Sequence, residues 1–157
     1  MEKLEQLQPY TIQMDNLFKE LFEQFNKSDF LKKSDLPIFR GIYVFYEKKD
    51  AIYVGRANNI RNRIFGHTRG SAGSESANFA FNLAKKDYAN KGAITLSRKE
   101  LMQVEEFKEI FRNHKLNLAN VEFKCIEIKN DIVQTMFEPY LALKLKTYPI
   151  NNTFENH

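Results

Sequence analysis

Gly41-Ile42-Tyr43-Val44-Phe45-Tyr46-Glu47-Lys48-Lys49-Asp50-Ala51-Ile52-Tyr53-Val54-Gly55 is the segment that decides the fold. Two runs rich in β-branched and aromatic residues, Arg40 to Tyr46 and Ala51 to Gly55, flank a charged stretch from Glu47 to Asp50. That pattern predicts a β-hairpin. Alternate residues of a strand face opposite sides of a sheet, and directly opposed residues share a side. Tyr43 and Tyr53 therefore share a face only if the loop holds an odd number of residues. An odd loop is the expectation.

Downstream, Asn58 is the expected N-cap of a short helix ending near Thr68. This helix sets Arg63 and His67 four residues apart on one face, beside Ile60 and Ile64. A Gly/Ser loop from Arg69 to Ser74 leads to a helix expected over Ser76 to Tyr88. Ser97 and Glu100 form a capping box, and Leu101, Val104, Phe107, Ile110 and Phe111 mark one helix reaching about Asn113. Val121 to Ile128 alternates as a third strand, with Cys125 read as a core residue. Asp131 opens a last helix, inside which Pro139 predicts a kink or a break. Upstream, Ile12, Leu17, Leu21, Phe22 and Phe25 recur at helical spacing and predict an amphipathic helix docked on the rest.

These elements predict a single α/β domain over 1–157: a small, mainly antiparallel sheet of at least three strands flanked by helices. Residues 1–36 form a helical N-terminal extension to it. The length is enough to bury a core without staples, and 43% hydrophobic with 28% charged residues describes a globular chain. No apolar run approaches the ~18 residues of a membrane span. Met1 to Gln8 shows no signal-peptide pattern, and one cysteine excludes a disulfide framework and a cysteine zinc cluster. A cytoplasmic location without membrane association is the expectation. The net charge of +4 is compatible with a polyanionic partner. Its clustering at Arg56, Arg61, Arg63, His67 and Arg69 says more than its total.

Gly41-Ile42-Tyr43, the nine residues that separate it from Tyr53-Val54-Gly55, and the basic helix that follows together resemble the GIY-YIG nucleases. The resemblance covers 40–157 and implies a nuclease core with its site along the hairpin. By position, Tyr43 is similar to the tyrosine that activates the attacking water, and Tyr53 to the one that helps hold water or phosphate. Arg63 matches the arginine that meets the scissile phosphate, and His67 a histidine beside it. Glu138 fits the metal-ligating glutamate of a later helix. Asn151 and Asn152 compete for the final asparagine, and the tail from Asn152 to His157 favours Asn152. Arg56, Arg61 and Arg69 are expected to touch nucleic acid.

Such residue types suit phosphodiester hydrolysis. Attack concentrates charge on the non-bridging oxygens, which a guanidinium fork can hold. One carboxylate suits Mg²⁺, or Mn²⁺ in its place, because such an ion keeps most of its waters and accepts substrate oxygens. Arg63, His67 and the cation are expected to pull the Tyr43 pKa below its usual ~10. The reading is a metal-dependent endonuclease acting by one-metal water attack, with DNA the expected substrate. Cutting both strands points to a homodimer or to sequential nicks. The alternative is a non-catalytic nucleic-acid-binding module that retains the nuclease fold.

Overall fold

The computed structural model describes residues 2–92 and 95–154. Three strands, β1 (Gly41–Glu47), β2 (Asp50–Ala57) and β3 (Glu122–Glu127), form an antiparallel sheet in the order β2-β1-β3. Six helices surround it among the described residues: α1 (Glu2–Lys27), α2 (Ile60–Thr68), α3 (Asn78–Ala89), α4 (Arg98–Leu101), α5 (Glu105–Ala119) and α6 (Asp131–Lys144). The α/β architecture expected from the sequence is the one observed.

The central strand is buried on both faces, so its side chains divide between two cores. Tyr43 and Phe45 point into a cluster with Ile60 and Ile64 of α2, Phe79 of α3 and Phe107 of α5. Ile42, Val44 and Tyr46 point the other way, against Phe18, Leu21 and Phe25 of α1 and Phe137 and Leu141 of α6. Burying each such phenylalanine contributes ~1.5–3 kcal/mol, which sandwiches the sheet between two helical layers. Lys124 of β3 also faces α1, and its ammonium donates to the Asn26 carbonyl at 2.9 Å, satisfying the helix C-terminus. Ile12, counted in the α1 stripe from its spacing, is instead exposed because the stripe meets the core only from about Met14 onward.

The hairpin corrects the expected loop. Lys48 and Lys49 alone connect the strands, with φ of 49° and 73°, a two-residue turn whose twist suits a tight hairpin. An even loop would put the two tyrosines on opposite faces. The ladder shifts, however, between Phe45 opposite Tyr53 and Tyr46 opposite Ala51, leaving Ile52 as a bulged residue. The extra residue restores the parity, and Tyr43, Phe45 and Tyr53 lie on one face.

The helices also differ from expectation: α3 starts at Asn78 rather than Ser76, and α5 runs on to Ala119. Asn59, not Asn58, caps α2, its side chain accepting from the Asn62 N–H at 3.0 Å. The capping box at Ser97 and Glu100 is present, but it starts only the short α4. The chain turns at Met102 and Gln103 before α5 begins, so Leu101 and Phe107 enter the core from separate helices. Pro139 breaks nothing: α6 runs through it to Lys144. Phe137 before the proline and Leu141 and Ala142 after it are all fully buried, and this packing outweighs one lost helical bond.

Both open edges of the sheet are covered, which removes a template for unwanted pairing. Leu31 and Phe123 exchange backbone hydrogen bonds at 2.7 and 2.8 Å outside β3. Outside β2, Asn151 donates to the Ile52 carbonyl at 2.8 Å, and Asn152 both accepts from and donates to the Val54 backbone at 2.9 and 2.7 Å.

Candidate active site

The two glycines of the hairpin have separate steric reasons. A Cβ on Gly41 would stand 1.9 Å from the Ile126 carbonyl oxygen, so β1 could not approach β3 there. A Cβ on Gly55 would stand 2.3 Å from Cζ and Oη of Tyr43. Gly55 is thus the seat on which the Tyr43 ring lies.

Tyr43 is almost wholly buried, and its hydroxyl is 2.9 Å from Nε2 of His67. His67 has no exposed surface, and burial, with Arg63 nearby, pushes its pKa down to about 3. The imidazole is therefore neutral at physiological pH. Among the described residues, its Nδ1 has no hydrogen-bond partner. Tyr53 stacks on Phe79 at 4.3 Å between ring centroids and sits 5.8 Å from the His67 ring.

Arg63, one turn before His67 on α2, donates to the Ser76 carbonyl at 3.2 Å, and its charge favours the ionised form of both phenols. Burial nevertheless dominates. It raises the Tyr43 pKa well above 10, and with the charge of Glu138 it raises Tyr53 to about 12. The protein's own groups do not supply the expected lowering of Tyr43: Arg63 acts in that direction but is outweighed by burial, and neutral His67 contributes no charge.

Glu138 reaches the same electrostatic neighbourhood from α6, since its charge acts on Tyr43 and Tyr53 and feels that of Arg63. Its side chain is 17% exposed, and burial raises its pKa against the opposing pull of Arg56 and Arg63. The Arg56 Nε lies 3.0 Å from Glu138 Oε2, and Arg56 also donates to the Thr135 hydroxyl at 2.6 Å. Arg56, expected to meet nucleic acid, is therefore engaged with the carboxylate, although its side chain remains 47% exposed.

The remaining sequence candidates take other places. Arg61 donates to the Leu36 carbonyl at 2.8 Å and ties α2 to the segment before the hairpin. Arg69 is exposed just beyond α2. Asn152 is buried, with both ends of its amide used by Val54, so it positions the strand residues on either side, Tyr53 and Gly55. Asn151 holds Ile52 and accepts from Lys86 at 3.1 Å. Glu155, Asn156 and His157, which favoured Asn152 in the sequence, lie outside the described residues.

Gln134 is a residue that sequence reasoning missed. It is buried, donates to the carbonyls of Gly41 and Ala57 at 2.9 Å each, and accepts from Arg40 Nε at 2.9 Å. It locks α6 to the start of β1 and the end of β2, one helical turn before Glu138. The available signal was a polar residue beside the apolar stripe of Val133, Phe137 and Leu141.

Among the described residues, no group of three or more His, Cys, Asp or Glu could enclose a metal ion. The chemistry of the donor set is one hard carboxylate, partly exposed, paired with Arg56 and within the electrostatic reach of Arg63. That fits a Mg²⁺-type ion, which needs few protein ligands.

The GIY-YIG catalytic domain matches residues 39–131, an interval that contains both tyrosines, Arg63 and His67 and stops short of Glu138. UvrABC system protein C of Pseudothermotoga lettingae is 31% identical over 123 residues, which cover 77% of this chain and 20% of that protein. The chain thus spans about a fifth of the length of that relative. No solved structure matches. With the glycine seat, the paired tyrosines and the basic helix in one arrangement, and with most of the chain inside the matched domain, this protein belongs to the GIY-YIG catalytic domain family.

Proposed function

We propose that the chain is a metal-dependent endonuclease hydrolysing phosphodiester bonds, with DNA as its substrate. Membership of the family supports the nuclease class. The observation that carries the finer reading is the hydrogen bond of 2.9 Å between Tyr43 Oη and His67 Nε2, set among the charges of Arg63 and Glu138.

In this reading, Arg63 binds non-bridging oxygens of the scissile phosphate through the edge of its guanidinium that Ser76 leaves free. Glu138 would hold Mg²⁺ or Mn²⁺, and such an ion would supply polarisation of the phosphate and stabilisation of the leaving oxygen. Tyr43, held by neutral His67, orients the attacking water. With its pKa raised by burial, the phenol serves as a hydrogen-bonding guide in this state rather than as a phenolate. His67 with its proton on Nε2 would donate to Tyr43, leaving Nδ1 as a bare acceptor. Tyr53 completes the wall on the stacked support of Phe79, and Asn152 keeps that strand in place.

Purified protein with Mg²⁺ is expected to nick or cut DNA, and Glu138→Ala and Tyr43→Phe each to abolish cleavage. Cleavage that survives both substitutions removes the assignment. The ion pair between Arg56 and Glu138 favours one second reading, a binding module without turnover. That reading requires DNA affinity indifferent to metal and to Glu138→Ala, with no product formed.

A further inference from the structure

Next to Glu138 the surface opens into a cleft of about 500 Å³ whose character differs from the site beside it. Its rim carries Arg56 and Glu138, and its walls are Pro139, Leu143, Tyr148 and Phe154. The last three are conspicuously exposed for apolar side chains, at 61%, 44% and 43%. Tyr148 and Phe154 lie 5.9 Å apart between ring centroids at 31°. The turn bearing Tyr148 is held in place: the N–H groups of Thr147 and Tyr148 donate to the Ala142 carbonyl, and those of Asn151 and Asn152 to Thr147. Asn151 and Asn152 in turn grip β2. The turn bearing Tyr148 is thus fastened to the outer edge of β2, the strand that carries Tyr53, at little further ordering cost.

We propose that this cleft takes one unstacked nucleobase of the nucleic-acid strand, seated on Tyr148 and Phe154 while its phosphate meets the rim. The inference rests on the nuclease reading of Glu138 and deepens it by naming the substrate class. Three features select this occupant. The cavity is continuous with the residue that reads as the metal ligand, so whatever fills it lies beside the phosphate being cut. The rim offers Arg56, half-exposed, to a backbone phosphate, while the walls offer flat apolar surface to a base. A base inside a duplex has both faces covered by its neighbours and cannot enter. The favoured substrate is therefore a strand with an unpaired nucleotide at or beside the cut: single-stranded, bulged or distorted DNA.

The test uses the full chain in EDTA, with a duplex carrying one unpaired nucleotide, the fully paired duplex and a single strand of the same sequence. The wild type is expected to bind the bulged duplex and the single strand more tightly than the paired duplex. Tyr148→Ala and Phe154→Ala should each reduce that preference about tenfold, and Tyr148→Phe should retain it. With 5-iodouracil at the unpaired position, photo-crosslinking should fall on Tyr148 or Phe154. Equal affinity for all three ligands, a preference untouched by both alanine variants, or a crosslink elsewhere would overturn the proposal. So would a homodimer that Tyr148→Ala dissociates, because a second copy would then fill the cleft. Cleavage in Mg²⁺ that ignores unpaired nucleotides removes the base subsite and leaves the nuclease. Selective binding without cleavage in Mg²⁺ or Mn²⁺ removes the nuclease and leaves the subsite.

Discussion

Tyr43 and Gly55 are matched as ring and seat: the phenol lies where a side chain at Gly55 would project, 2.3 Å from its Cζ and Oη. The two halves of the hairpin signature therefore have one steric explanation. The glycine of the second strand exists for the tyrosine of the first, and the ring so placed meets His67 from α2.

Gly55→Ala should expel the Tyr43 ring and break its contact with His67. Cleavage is expected to fall ~10²–10³-fold, the scale of losing one preorganised catalytic group. Gly70→Ala is the control, since a Cβ there meets nothing within 4 Å. A Gly55→Ala protein that cuts at wild-type rate would show that the ring position is irrelevant.

His67 links stability to pH with a definite sign. Its folded pKa of about 3 lies below the ~6.5 of an unfolded histidine. Above ~6.5 both states are neutral and the contribution to stability is fully present. As pH falls from there towards 3, the unfolded chain takes up a proton that the folded one refuses, and stability drops by up to ~1.4 kcal/mol per pH unit. Urea unfolding of the wild type minus that of His67→Gln should isolate this slope. An imidazole resonance of His67 titrating near 6.5 in the folded protein would contradict it.

Arg56→Ala should raise the Glu138 pKa further, because burial already raises it and Arg56 is the largest influence opposing that rise. The acid limb of the cleavage profile should then move to higher pH, and Arg56→Lys should move it less. Carbon NMR titration of the Glu138 carboxyl measures the shift directly. No displacement in Arg56→Ala would mean that the ion pair is absent in solution.

Gln134→Leu leaves the carbonyls of Gly41 and Ala57 and the Arg40 guanidinium without a partner they now share. A loss of about 2 kcal/mol in urea unfolding is expected. Cleavage should fall by more than the folded fraction explains, since α6 carries Glu138. Asp131→Ala removes an exposed partner of Arg40 and should stay within ~0.5 kcal/mol of wild type.

Much of the fold was legible because its signals are local. The hairpin, the third strand, the capping box at Ser97 and the last helix each rest on residues within one element. The failures share a cause as well. Neither the bulge at Ile52 nor the break between α4 and α5 has a marker in the residues that adopt it. Asn151 holds the bulged carbonyl from almost a hundred residues away, and Leu101 and Phe107 each meet the core from their own helix.

By itself the sequence determined the inventory: a hairpin with two tyrosines, a basic helix after it, and an acid and an asparagine pair far down the chain. Period-two and helical spacing are properties of neighbouring residues, so they can be read without coordinates. Only the tertiary structure decided what those groups have become. Burial set the protonation of Tyr43 and His67, an ion pair with Arg56 occupied Glu138, and Asn152 was committed to Val54. Desolvation and hydrogen bonding depend on what surrounds an atom in space, and here those surroundings come from segments distant in the chain.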